Sequence, residues 1–167
     1  MKEPIYRRAV LSDIPQLCAL GLASYGQFKQ TLGEEWKKME AGIGNSQTYT
    51  KLLEVGVGFV CEQNDKLLGM AFLVPRNNPV GFFEAGWSYI RLVGVLPEHG
   101  GQGIGKELTK LCIKQAKESG EEIIALHTSE FQNAARHIYE TIGFTKLKEI
   151  DKLFNKRYWI YTLNLKA

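Results

Sequence analysis

The 167-residue chain lacks a long apolar run, a block of like charge and any close pair of cysteines. Without about 20 consecutive apolar residues it offers no segment that would cross a bilayer as a helix. Its polar opening MKEPIYRR has no apolar core of the kind that marks a secretory signal. Lysine and arginine total 21 against 18 aspartates and glutamates, and the net charge of +3 is too small and too dispersed to mark a nucleic-acid surface. Cys18, Cys61 and Cys112 are far apart with no C-x-x-C spacing, so the sequence suggests neither a disulfide framework nor a zinc site. No residue cluster asks for a metal. The expectation is a cytoplasmic protein with reduced, structural cysteines, no nucleic-acid partner and no membrane association. No repeat, low-complexity stretch or linker interrupts the chain, so residues 1–167 are read as one domain able to bury a single core.

What is present is a succession of strand-like and helix-like segments with short joints. Residues 5–10 predict a strand, and Ser12, Asp13 and Pro15 open a helix to about Tyr25 with Ser12 as the capping hydroxyl. Residues 26–50 are mixed, with EEWKKME helical and GIGNSQ a loop. Residues 59–62 and 67–74 form a hairpin turned by Asn64-Asp65, and residues 75–86 an exposed loop. Residues 89–96 read as a central strand in which Gly94 marks a bulge or a close approach. A helix over 104–119 places Leu108, Leu111, Cys112 and Ala116 on one face, and EEIIALHTS is a buried strand. A helix from Asn133 to Gly143 buries Ala135, Ile138, Tyr139 and Ile142, and residues 144–150 and 157–165 form closing strands. The class is mixed α/β.

The segment PEHGGQGIGKELTK sets Gly100, Gly101, Gly103 and Gly105 against the start of a helix. Backbone N–H groups left unshielded there combine with the helix dipole into an anion site suited to a diphosphate, or the glycines merely reverse the chain. A P-loop would need Ser or Thr after Lys106, where Glu107 stands. A dinucleotide fingerprint would need a small residue where Leu108 stands, and would open the first strand-helix-strand unit.

The remaining pattern resembles the GNAT N-acetyltransferase superfamily, whose acetyl-CoA loop reads Q/R-x-x-G-x-G/A. Gly100-Gly-Gln-Gly103-Ile-Gly105 matches it except at its first position, where Gly100 removes a side chain and keeps the backbone donors. A second signature, N-x-A-x-x-x-Y followed by G-F, recurs as Asn133, Ala135, Tyr139, Gly143 and Phe144, and RRAVLSDIPQLCAL is similar to the family's opening strand and helix. The resemblance implies the acyl-CoA N-acyltransferase fold, a mixed, mostly antiparallel sheet of six or seven strands flanked by about four helices. It implies that Gly100, Gly101, Gln102, Gly103, Ile104, Gly105 and Lys106 cradle the pyrophosphate, with N–H donors from Gly101 onward. Val93, Gly94 and Val95 would run beside pantetheine, and Asn133 would touch the cofactor arm. Homodimers are a further expectation from resemblance alone.

The implied reaction is acetyl transfer from acetyl-CoA, the donor cosubstrate, to a primary amine by direct attack in a ternary complex. It needs an oxyanion donor, an acid for the leaving thiolate and a base for the ammonium. Tyr139 matches the family's acid. Some relatives carry a glutamate base where Tyr89 stands here, which leaves Glu84 and His127 as candidates. The acceptor classes left open are a small amine, an aminoglycoside or polyamine, an amino acid, and the amine of a peptide or protein, and the small net charge argues mildly against a strongly cationic one. The length of the acyl group is open. A non-catalytic coenzyme A sensor or an interaction module on the same fold are the alternatives.

Overall fold

The computed structural model describes residues 2–166, so Met1 and Ala167, the outer limits of the expected domain, lie outside the described residues. Seven strands, β1 Ile5–Arg8, β2 Val57–Gln63, β3 Lys66–Val74, β4 Ser88–Val95, β5 Ile123–Ser129, β6 Thr145–Leu153 and β7 Lys156–Asn164, form one sheet in the order β1-β2-β3-β4-β5-β7-β6. All neighbouring pairs are antiparallel except β4 and β5, the mixed sheet expected of an acyl-CoA N-acyltransferase. Asn64 and Asp65 take φ of 51° and 64°, the paired left-handed conformation of a tight hairpin turn that these two residue types tolerate. Phe154 and Asn155 turn the β6–β7 hairpin the same way at φ 52° and 59°, an unusual place for a phenylalanine.

The helices are α1 Ile14–Gly26, α2 Lys29–Leu32, α3 Trp36–Ile43, α4 Ser46–Val55, α5 Ile104–Glu118 and α6 Asn133–Ile142. The loop expected at GIGNSQ is instead the junction of two helices. Gly44 ends α3, and the Asn45 side chain accepts the Gln47 N–H at 2.9 Å to cap α4, a helix that the mixed sequence pattern concealed. At the start of α1 the expected Ser12 cap is replaced by Asp13, whose carboxylate accepts the Val10 N–H at 2.8 Å and two Arg7 donors at 2.9 Å. The hydrogen bonds from Arg7, above all, hold the Asp13 carboxyl below its usual range. Residues 75–86 contain no helix or strand, yet the loop is not wholly exposed. Phe83 is buried and stacks on Tyr89 at 4.5 Å between ring centres.

α1 and α5 cover opposite faces of the sheet, as the alternation of side chains along β3 and β4 shows. Gly94, opposite Met70, lies beneath Ser24 of α1, whereas the neighbouring Gly69, opposite Val95, lies beneath Ile104 and Leu108 of α5. Glycine at each contact lets a helix approach the sheet. A Cβ at Gly69 would lie 2.7 Å from Ile104 Cγ2 and 2.9 Å from Leu108 Cδ1. Gly69→Ala is therefore expected to cost about 1–3 kcal/mol of stability through overpacking. Gly105→Ala, whose Cβ would make ordinary contacts at 3.6 and 3.7 Å, is expected to be neutral or slightly stabilising. Urea unfolding of both variants, followed by circular dichroism, distinguishes the two outcomes.

Candidate functional site

β4 and β5 pair at only two positions, Ser88 with Ile124 and Tyr89 with Ala125. The strands then part, and the cause lies in β4. Arg91 pairs with Phe72 and Gly94 with Met70, so Leu92 and Val93 both stand opposite the single residue Ala71. This is a β-bulge, and Leu92 adopts φ 52° within it, a left-handed conformation that costs about 1–2 kcal/mol. β5 meanwhile remains paired with β7 from Ile123 to Ser129, so the sheet opens between β4 and β5. Two backbone groups on the freed part of β4 are held by α1. The Tyr25 hydroxyl donates to the Val93 carbonyl at 3.3 Å, and the Val95 N–H donates to Ser24 Oγ at 3.1 Å.

A cavity of about 540 Å³ occupies the opening, walled by the end of α1, by Val93 and Val95, by the glycine loop and by α6. Gly101 and Gly103 take φ of 77° and 82°, and the space around both is open, so backbone conformation alone demands glycine there. Gly103 caps α5, and the first helical bond runs from the Glu107 N–H to the Gly103 carbonyl at 3.0 Å. The N–H groups of Gly103, Ile104, Gly105 and Lys106 are thus the four unpaired donors of the helix start, and all four residues line the cavity. With the helix dipole they form an anion site. Gly100 has an ordinary φ of −65°, so its backbone would accept a side chain.

A second cavity of about 220 Å³ adjoins the first, and the two share Tyr25, Val93, Gln132 and Tyr139. Met39, Ile43, Arg91, His127, Phe154 and Tyr158 also line it. A broader surface hollow of about 610 Å³ continues from it, sharing Lys38, Arg91, His127 and Phe154 and adding Phe82 and Lys152.

At this junction burial keeps Tyr139 and His127 in their uncharged forms near neutral pH. Tyr139 is buried, and desolvation, followed by the neighbouring Tyr25 and Cys112, pushes its phenol well above the usual range. His127 is half-buried among the rings of Phe82 at 4.8 Å and Tyr158 at 5.6 Å. Burial, and then the Arg91 charge, pushes its imidazole down to about 4. Its Nδ1 is buried with no hydrogen-bond partner among the described residues. Cys112 is fully buried on α5 with its thiol pushed up by desolvation, the environment of an inert cysteine. Among the described residues no group of three or more His, Cys, Asp or Glu has the arrangement of a metal site, and no helix is long and apolar enough to cross a membrane.

Of the residues singled out in the sequence, Val93, Val95, Gly100, Gly101, Gly103, Ile104, Gly105, Lys106, Asn133 and Tyr139 line the cavity of about 540 Å³, and His127 lines the other two. The Asn133 side chain is additionally held by a hydrogen bond from Arg136. Three residues depart from expectation. Gly94 does not line the cavity, because its open side is covered by Ser24 and Met70, and the approach of α1 rather than of a ligand explains the glycine. Gln102 also stays outside the cavity wall, with Oε1 3.5 Å from His99 Nδ1. Glu84 is exposed on its loop and lines none of the three hollows, so the structure does not bring it to Tyr139 and His127. The expectation passed over Ser24, Tyr25, Gln132 and Arg91. The first three lie at helix or loop ends without any motif, whereas Arg91 was visible as a lone cation inside the apolar strand YIRLVGVL.

Residues 28–144 match the acetyltransferase (GNAT) family, a span that includes the bulged strand, the glycine loop and Tyr139. The chain is 30% identical to N-alpha-acetyltransferase 30 of Schizosaccharomyces pombe over 96 residues, 58% of this chain and 62% of that protein. It is 33% identical to human N-acetyltransferase 8B over 100 residues, 59% of this chain and 43% of that protein. The matches thus span less than two thirds of either relative. Among solved structures, PaiA N-acetyltransferase from Thermoplasma acidophilum in complex with coenzyme A superposes with a TM-score of 0.77 at 16% identity, over 98% of this chain and 99% of that one. The ribosomal-protein-S18-alanine N-acetyltransferase from Escherichia coli gives 0.73 at 16% identity, over 98% and 94%. At such identities the likeness is one of fold, and it is the family match across most of the chain that decides the assignment. The chain belongs to the acetyltransferase (GNAT) family.

Proposed function

We propose that the protein moves the acetyl group of acetyl-CoA to a primary amine by direct attack of the amine within a ternary complex. The observation that carries this reading is the pair of adjoining cavities, one bounded by the N-terminus of α5 and both bounded by Tyr139. The larger suits a long donor with an anionic diphosphate, held by the four free N–H groups that open α5. The edge of β4 at Val93 and Val95, where Tyr25 and Ser24 hydrogen-bond the backbone, suits the amides of pantetheine. The smaller receives the amine. That the relatives are named N-acetyltransferases, and that PaiA N-acetyltransferase was solved with coenzyme A, supports the same assignment.

The ammonium first gives one proton to the protein or solvent, and the neutral amine bonds to the carbonyl carbon. The C–S bond then breaks with sulfur leaving as a thiolate, and nitrogen loses a second proton as the amide forms, which balances the proton that the thiolate takes up. Tyr139, common to both cavities, supplies a proton to the thiolate. The raised pKa of its phenol does not prevent this, since a thiolate in the same poorly solvating site is itself a stronger base than in water. His127 borders the acceptor cavity and is neutral, so it is the candidate to take the ammonium proton directly or through a water, acting as a weak base while burial holds its imidazole at about 4. Cys112 is buried away from this chemistry, so no acyl-enzyme step is invoked.

Calorimetric titration with acetyl-CoA tests the donor site. Saturable binding is expected in the wild type and loss of about 100-fold or more in Gly103→Glu, which places bulk and negative charge among the donors. Gly100→Arg, restoring a side chain at the loop's first position, is expected to tighten binding several-fold. Absence of binding by the wild type at millimolar acetyl-CoA refutes the reading.

For the chemical step, Tyr139→Phe is expected to lower kcat by about 100-fold while leaving the acetyl-CoA Kd within about twofold. Intact binding without thiol release from any amine would instead identify a coenzyme A sensor.

His127 adds a pH signature. Its folded pKa of about 4 lies below the ordinary 6.5, so between those values the unfolded chain binds a proton that the native protein does not. Stability present above pH 6.5 is then lost as the pH falls toward 4, by up to about 3 kcal/mol. Melting temperatures measured from pH 7.5 to 4.5 should fall less steeply in His127→Phe than in the wild type, and parallel profiles would refute the assignment.

A further inference from the structure

Every arginine of the chain but one has a hydrogen-bond partner. Arg7 bonds Asp13 and Glu62, Arg8 bonds Gln115, Arg76 bonds the Gly120 carbonyl, Arg136 bonds Asn133 and Arg157 bonds Glu149. Arg91 has neither a hydrogen bond nor an ion pair among the described residues. It is half-buried, it rises from the bulged strand, and it lines both hollows on the acceptor side. Lys38 borders the same two hollows and Lys152 the outer one, where the single lining acid, Glu35, already binds Lys38 at 3.0 Å. A half-buried guanidinium without a counter-ion is costly, and its planar fork matches a carboxylate. Around it the surface is aromatic, with Phe82, Phe154 and Tyr158 as its main apolar groups. Phe154 is held there by the left-handed turn conformation that phenylalanine rarely takes.

We infer that the acceptor amine also bears a carboxylate that seats on Arg91, with an apolar side group against these rings: an amino acid or a close derivative of one. The inference rests on the acetyl-transfer reading above and narrows its acceptor. Arg91 stands two residues before Val93 on the same strand, a separation of at most about 7 Å along the backbone. Amine and carboxylate are then a few bonds apart, as in an amino acid, and a polyamine or aminoglycoside would bring cations to a cationic wall. A bound carboxylate would also neutralise the Arg91 charge that, second to burial, depresses His127, and so strengthen the base when the acceptor arrives.

The test compares amine pairs that differ only in the carboxylate. Thiol release from acetyl-CoA is measured with phenylalanine against phenethylamine and with leucine against 3-methylbutylamine, using wild type, Arg91→Gln and Arg91→Lys. In the wild type kcat/KM for the amino acids should exceed that for the amines by about 10–100-fold. The ratio should fall to near one in Arg91→Gln and recover partly in Arg91→Lys, and acetyl-CoA binding serves as the check that each variant is folded. Equal use of both amines by the wild type, or a ratio that survives in Arg91→Gln, overturns the inference.

Binding of N-acetylphenylalanine and N-acetylphenethylamine to the coenzyme A-loaded protein gives a readout free of turnover. A preference for the carboxylate that depends on Arg91, without thiol release from any amine, keeps the anion site and refutes acetyl transfer. No preference refutes the anion site.

Discussion

The bulge at Leu92 and Val93 is the constraint on which the rest of the site depends. One extra residue opposite Ala71 bends β4 away from β5, and the two strands keep only the pairs at Ser88 and Tyr89. Without that bend the sheet would close, and the ladder would satisfy the very groups at Val93 and Val95 that α1 now holds through Tyr25 and Ser24. The strained Leu92 is offset by packing on both sides, where glycines at positions 94 and 69 let α1 and α5 sit close to the sheet. The opening is therefore built into the strand pairing, with a helix N-terminus at one end and a cationic, aromatic hollow at the other.

Burial does the electrostatic work between those ends. The same desolvation raises the Tyr139 phenol and lowers the His127 imidazole, because it disfavours whichever form carries charge. Both groups are consequently uncharged near neutral pH, one holding a proton and the other able to take one. The unpaired charge at this junction is Arg91, and the free donors that open α5 are the complementary polar feature at the far end. Those two features are what the proposed diphosphate donor and carboxylate-bearing acceptor would meet.

Much of this was legible because backbone geometry writes itself in residue types. Gly101 and Gly103 require left-handed φ, and Asn64-Asp65 is a turn for the same reason, so both were visible in the sequence. The helical stripe through Tyr139 was equally plain from spacing. Elsewhere identical residue types carried a different meaning. Gly44 and Asn45 looked like loop but are the end of one helix and the cap of the next. Gly94 suggested an approaching ligand, when what approaches is Ser24, 70 positions away in the chain. Glu84 had suitable chemistry, but its loop holds it in solvent.

By itself the sequence determined the local features: the strand-helix order, the glycines at the start of α5 and the helical stripe that carries Tyr139. These follow from contacts within a few residues, where propensity, capping and periodicity act. Only the tertiary structure decided which of them meet. The bulge depends on pairing between β3 and β4, the junction of the cavities on residues from α1, β4 and α6, and the isolation of Arg91 on no acid pairing with it among the described residues. Such long-range juxtapositions are set by the packing of the whole sheet, which no short window of sequence contains.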